Sequence, residues 1–213
     1  MGEIILVRHG QANSAAKTEE DYDRLSDLGV TQATWLGAWM RDHGYDFDHV
    51  LSGTLVRHHQ TVAAMGWEAD EDARLNEIDY FRLTDQMHTV MGVPLPTPDT
   101  FSDHMPKVFA AWKQAEIEGR ETYANFETRV AALLDEASVP GRRLLCVTSG
   151  GVIGMVLRHI LDLDLVRMSH VMLPIWNTSI HRLTVRDGAA FLAGFNAIPH
   201  LDRPERASAR THI

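Results

Sequence analysis

Two short apolar runs, each with the polar turn after it, constrain this chain most. The first is Ile4-Ile5-Leu6-Val7, which empties directly into Arg8-His9-Gly10-Gln11. The second covers residues 143–148 and runs into Ser149-Gly150-Gly151, ahead of an apolar stretch at 152–161 that reads as a helix. Uninterrupted runs of this length read as buried strands, and buried strands belong to sheets that are covered on both faces. In open α/β sheets the carboxyl ends of the strands open into the ligand crevice. An arginine beside a histidine at such an end offers a fixed positive fork and a titratable nitrogen. A glycine-rich turn entering a helix presents backbone N–H groups to an anion. Together these ends suit phosphoryl chemistry.

The rest of the chain alternates in the same way. Helical patterning is expected over residues 31–43, ending at Gly44, then a strand over 49–52. A helix over 55–65 follows, with Thr54 as its N-cap and Arg57 in its first turn. Residues 73–78 read as a third strand ending near Glu77. Residues 11–28 read as a loop carrying Asn13, Ser14 and Glu19-Glu20-Asp21. The stretch 80–102, with Pro94, Pro96 and Pro98, also has loop composition. Helices are expected again at 103–118 and 123–137. Strands at 178–185 and 190–195 are joined through Asp187-Gly188, a hairpin signal. The expected architecture is therefore α/β: a three-layer α/β/α sandwich with a mostly parallel sheet. We expect one domain over residues 1–213, with an inserted cap at about 80–120 and a partly ordered surface tail at about 199–213.

A formal charge of −9 argues against a nucleic-acid surface, so an anionic substrate must be captured by a local group of arginines. Cys146 is the single cysteine and sits in an apolar run, which excludes an internal disulfide and suggests a buried thiol. The N-terminal apolar run is too short for a membrane or signal segment, and the default compartment is the cytoplasm. Twelve histidines invite a metal site, but His159, His170 and His181 are spaced eleven apart, which fits neither one helix face nor one strand. No metal and no cofactor are expected. The apolar residues of the cap leave room for a homodimer.

With Arg8-His9-Gly10, Arg57, Glu77 and Ser149-Gly150-Gly151 in this order, the chain resembles the histidine phosphatase superfamily in its phosphoglycerate mutase-like branch. Leu6-Val7-Arg8-His9-Gly10-Gln11 matches the opening signature. Leu55-Val56-Arg57 with Gln60-Thr61 matches the second arginine motif, and Leu75-Asn76-Glu77 the acid motif. The resemblance covers roughly residues 3–185 and implies a mechanism. His9 attacks phosphorus and carries a phosphohistidine; Arg8 and Arg57 clamp the non-bridging oxygens. Glu77 protonates the leaving alkoxide, with Asp79 as its rival. Ser149, Gly150 and Asn13 complete the phosphate site. The implied partner is a small phosphomonoester.

One departure stands out: the family's second histidine is replaced by Ser149. A neutral hydroxyl in place of an imidazolium costs about 1–2 kcal/mol, roughly ten- to thirty-fold in rate. His58 or His59, directly after Arg57, is a candidate to supply the missing charge, and a histidine restored at position 149 is expected to raise turnover. Gly53-Thr54 replaces a Ser-Pro pair, which is expected to alter only the turn. The extended basic pattern of true phosphoglycerate mutases is not visible. The competing expectation is a phospholigand-binding or regulatory protein with low turnover. Candidate substrate contacts are Arg82 and His88 of the cap; Asn177 and His181 either line the pocket or hold core or edge positions.

Overall fold

Strand β1 (Gly2–Arg8) lies near the middle of a six-stranded sheet and splits its side chains between two cores. A computed structural model describes residues 2–13, 16, 18–97 and 99–212; Ser14 and Pro98 lie outside the described residues. The chain continues through α1 (Glu19–Tyr22), α2 (Asp27–Asp42), β2 (His49–Ser52), α3 (Val56–Met65) and β3 (Asp70–Glu71). Next come α4 (Tyr80–Met91), α5 (Phe101–Lys113), α6 (Tyr123–Ala137), β4 (Arg143–Thr148), α7 (Gly150–Leu161) and α8 (Leu165–Met172). The hairpin β5 (Ile180–Arg186) and β6 (Ala189–Ala197) completes the sheet. The strand order is β3-β2-β4-β1-β5-β6, with β1 to β4 parallel and β5 and β6 antiparallel.

Because strand side chains alternate, Ile4, Leu6, Leu144 and Cys146 face one layer while Ile5, Val7, Leu145 and Val147 face the other. The second set packs on Ala33, Leu36 and Met40 of α2 and on Val62 and Met65 of α3. The first packs on α5, α6, α7 and α8. This is the expected three-layer α/β/α sandwich. Burial pushes the Cys146 thiol up to about 12, so it stays protonated in the core. The hairpin turns at Asp187-Gly188, both with positive φ (51° and 77°), as anticipated. Among the described residues no helix is long and apolar enough to cross a membrane.

Several local expectations are corrected. Residues 73–78 do not form a strand; a single 3-10 turn (Ala73–Leu75) buries Leu75 and the chain continues irregularly past Glu77. Residues 80–102 are not all loop, because α4 occupies Tyr80–Met91 with Asp79 as its N-cap, and Leu83, Thr84 and Met87 form its buried face. The prolines come after its Gly92 C-cap. Residues 11–28 contain α1, whose N-cap Thr18 accepts from Asp21 N at 3.1 Å. Thr54 does not cap α3. Its first N–H groups, on Val56 and Arg57, instead donate to the Asp23 carboxylate at 3.0 and 3.1 Å.

The tail is also more than a surface strip. Leu201 and Ala209 are buried, and a 3-10 segment (Pro204–Ala209) carries the chain back to the strand ends. Gln32 donates to the Ala209 carbonyl at 2.7 Å and Asn177 N to the Thr211 carbonyl at 2.8 Å. Beyond them, the His212 carbonyl accepts from Arg8 at 2.8 Å.

Candidate active site

The carboxyl ends of β1 and β4 meet side by side, with Arg8 opposite Thr148 in the ladder, so the two glycine-bearing turns open into one cavity. Its volume is about 590 Å³, and Arg8, His9, Arg57, Glu77, Gly150 and Gly151 all line it. Four sequence elements far apart in the chain are thus brought together as expected.

His9 is almost fully buried, and its Nδ1 lies 2.7 Å from the Gly10 carbonyl. That contact assigns the proton to Nδ1 and leaves the Nε2 lone pair toward the cavity. Burial, and then Arg57, Arg8 and His58, hold the ring well below the usual histidine range, so it is neutral and nucleophilic at pH 7. From behind, Asn177 Nδ2 donates to the His9 carbonyl at 3.2 Å.

Both arginines reach the site with unused donors. Arg57 is completely buried; its Nη1 donates to Glu19 at 2.7 Å and to Asp23 at 3.1 Å, and the Tyr22 ring lies 5.0 Å from its guanidinium. Its Nε and Nη2 are buried with no partner among the described residues. Arg8 Nη1 donates to the carbonyls of Ile175 and His212, while its Nε is likewise buried and unpaired among the described residues. Buried guanidinium N–H groups are costly to leave unmatched, so these three unpaired nitrogens, on two arginines that line the cavity with His9, mark a site for an anion.

Glu77 is held at the other wall. Its Oε2 accepts from Gly151 N at 2.8 Å and its Oε1 from Ile78 N at 2.9 Å. A Cβ at position 151 would lie 2.2 Å from Glu77 Oε1, so only glycine permits this approach. The irregular backbone that carries Glu77 is fixed by Arg129, which donates to the carbonyls of Arg74 and Asn76 at 2.6 and 2.8 Å. Asp79 does not line the main cavity. It caps α4 and pairs with Arg120 at 2.7 Å, which favours Glu77 of the two rivals.

Ser149 is fully buried, and its Oγ lies 2.7 Å from His58 Nε2. The His58 ring stands 5.8 Å from that of His9, while His59 is half-buried near the surface and pairs with Glu71. His58, not His59, therefore occupies the space beside Ser149. Burial, then Arg57, holds His58 well below the usual histidine range, so it brings a hydrogen bond rather than the expected charge. His58 Nδ1 has no partner among the described residues and faces Gly53. Since a buried unpaired N–H costs more than an unpaired lone pair, we assign the proton to Nε2, donated to Ser149 Oγ. Gly53 makes this possible, because a Cβ there would stand 2.2 Å from His58 Nδ1. Its effect is on the packing of His58, not only on the turn.

Other expected contacts fall outside the cavity wall. Asn13 is exposed, donates to the Asp21 carbonyl at 3.3 Å and is not among the described residues that line the cavity. Arg82 and His88 are exposed on α4. His181 is buried against Ser179, and Asn177 sits behind His9 rather than in the cavity. Among the described residues no cluster of His, Cys, Asp or Glu is placed to hold a metal. Conversely, sequence reasoning misses Glu19, Tyr22, Asp23 and His212. The first three lie in a segment that reads as loop, although Thr18 with Asp21 has the spacing of a helix-capping pair.

Known proteins share parts of this sequence and geometry. A 95-residue stretch is 33% identical to the mitochondrial serine/threonine-protein phosphatase Pgam5 of Drosophila willistoni, covering 44% of this chain and 29% of that protein. A 90-residue stretch is 36% identical to a 2,3-bisphosphoglycerate-dependent phosphoglycerate mutase of Allorhizobium ampelinum, covering 37% of this chain and 42% of that protein. The chain thus matches less than half the length of these relatives. A phosphoserine phosphatase structure from Entamoeba histolytica superposes with a TM-score of 0.66 at 19% identity, over 94% of this chain and 100% of that one. That likeness concerns the fold alone. A family model matches residues 4–198, so the chain belongs to the histidine phosphatase superfamily, branch 1.

Proposed function

We propose that this protein hydrolyses a phosphomonoester through a phosphohistidine on His9. The observation that carries the proposal is the neutral, buried His9 lining one cavity with Arg8 and Arg57, whose guanidinium groups hold three buried nitrogens with no partner among the described residues. The Nε2 lone pair attacks phosphorus in line, and Arg8 and Arg57 stabilise the charge on the non-bridging oxygens. Glu77, across the cavity, donates a proton to the departing alkoxide and later takes one from the attacking water. Ser149, with its oxygen accepting from His58, keeps its own hydrogen for a phosphoryl oxygen beside the Gly150 amide, the Gly151 amide being held by Glu77. With a formal charge of −9, the anion is drawn by these local donors rather than by the molecule as a whole.

Hydrolysis is favoured over mutase chemistry because, among the described residues, the cavity wall has no cation beyond the His9 end to receive a second anionic group. The competing reading is phospholigand binding without efficient turnover. It is favoured by the engagement of Arg57 with Glu19 and Asp23, which a substrate must share. The test is turnover of p-nitrophenyl phosphate and trapping of acid-labile phosphate on the protein, in wild type and His9→Ala. Turnover and labelling that both vanish in His9→Ala support the enzyme. Equal inactivity with retained phosphate binding supports the binding protein.

A further inference from the structure

The phosphate end occupies only one part of the cavity, and the remainder has a different character. Away from His9 its wall is built by Tyr22, Phe81, Phe101, Met105, Phe109 and Met172, drawn from α1, α4, α5 and α8. Tyr22 joins the two parts: its ring stands 6.3 Å from His9 and 6.1 Å from Phe81. A volume of about 590 Å³ lies within the range that encloses a drug-sized ligand, well beyond a phosphoryl group. The charged groups on the wall are equally informative. Arg8 and Arg57 stand at the phosphate end, and the acidic side chains among the described lining residues are Glu19 and Glu77. A nearby cation, Arg120 in an adjoining recess, is already paired with Asp79.

Building on the phosphatase reading, we infer that the substrate is the phosphomonoester of a bulky apolar alcohol, aromatic or branched, whose hydrocarbon part is buried between α4, α5 and α8. Two physical effects act in the same direction. The apolar wall rewards each buried methylene or ring carbon. The carboxylates at the phosphate end, with no free cation beyond them on the described wall, penalise a substrate that carries a carboxylate of its own.

The test compares esters with similar primary-alkoxide leaving groups, so that chemistry is held nearly constant and binding varies. Ethyl phosphate, 2-phenylethyl phosphate, phosphoserine and 3-phosphoglycerate are turned over by wild type and by Phe101→Ser. We expect kcat/KM for the phenylethyl ester to exceed that for the ethyl ester by roughly 30-fold, since burying a ring is worth that much. The ratio falls several-fold in Phe101→Ser, and both carboxylate-bearing esters rank below ethyl phosphate. A flat series, or 3-phosphoglycerate or phosphoserine matching the phenylethyl ester, overturns the inference and leaves the phosphatase reading intact. If no ester is turned over, the phosphatase reading fails by itself. The cavity is then judged by calorimetry with 2-phenylethylphosphonate against methylphosphonate. Tighter binding of the former upholds apolar recognition, and equal affinity overturns it.

Discussion

Replacing Ser149 by histidine is the sharpest test of the site, because sequence pattern and structure give it opposite signs. From the motif alone, the substitution restores a missing imidazole and raises turnover. In the structure that space is taken: Ser149 is fully buried with its Oγ 2.7 Å from His58 Nε2. A second imidazole there overpacks the core at a cost of about 1–3 kcal/mol. For a domain of this length each kcal/mol lowers Tm by roughly 2–4 °C, so Ser149→His loses roughly 2–12 °C. Displacing either ring from beside His9 also costs about tenfold in kcat/KM, the equivalent of one hydrogen bond. The pair His58→Ala with Ser149→His removes one imidazole and installs the other. Tm then recovers to within a few degrees of wild type, with a coupling of about 2 kcal/mol between the sites. Turnover stays within about threefold of wild type, because burial and Arg57 keep an imidazole in this place neutral, as they do His58, and it offers a hydrogen bond like the hydroxyl it replaces. The assay is thermal unfolding with p-nitrophenyl phosphate hydrolysis on all four proteins of the cycle. A single Ser149→His variant that is faster than wild type at unchanged Tm refutes the reasoning.

Arg57→Ala lowers kcat/KM by at least about a hundredfold, as expected when a buried charge on the transferring group is lost, while Arg120→Ala, whose side chain is largely exposed, changes it less than about threefold; comparable losses refute the clamp. For pH, His181 and His200 are held down to about 3 by burial, and His9 and His58 are also lowered from 6.5. The unfolded chain therefore binds more protons below pH 6.5, so stability is complete above that pH and falls as pH drops from 6.5 toward 3. A urea midpoint that is flat from pH 7 down to 4 contradicts this. Ending the chain after Arg203 removes the acceptors for Gln32 and Asn177 and costs about 3 kcal/mol, or roughly 6–12 °C in Tm, measured by calorimetry.

How much of this is legible in the sequence depends on how local the code is. β1, β4 and α7 are readable because consecutive apolar residues and a glycine turn carry their own signal. α4 is hidden by the prolines that come after it and by a buried face of only Leu83, Thr84 and Met87. The cap on α3 cannot be read at Thr54, since the carboxylate that supplies it stands at Asp23. The tail docks through backbone carbonyls, which have no sequence signature. Arg8, His9, Arg57, Glu77 and Gly150 are identified from their motifs and do meet. The His58–Ser149 contact joins residues 91 positions apart, and the motif shows only its two halves.

Gly53 imposes a direction on how such a site can be reached. A side chain at 53 and the present rotamer of His58 exclude each other, and so do a ring at 149 and a ring at 58. A chain approaching this arrangement one substitution at a time must first lose the Cβ at 53 and the ring at 149. Only then does a histidine at 58 have somewhere to go. Once it has settled, neither earlier residue can return alone without a clash. The three positions therefore act as a ratchet, and a relative carrying one of the three states without the others marks a step on that path.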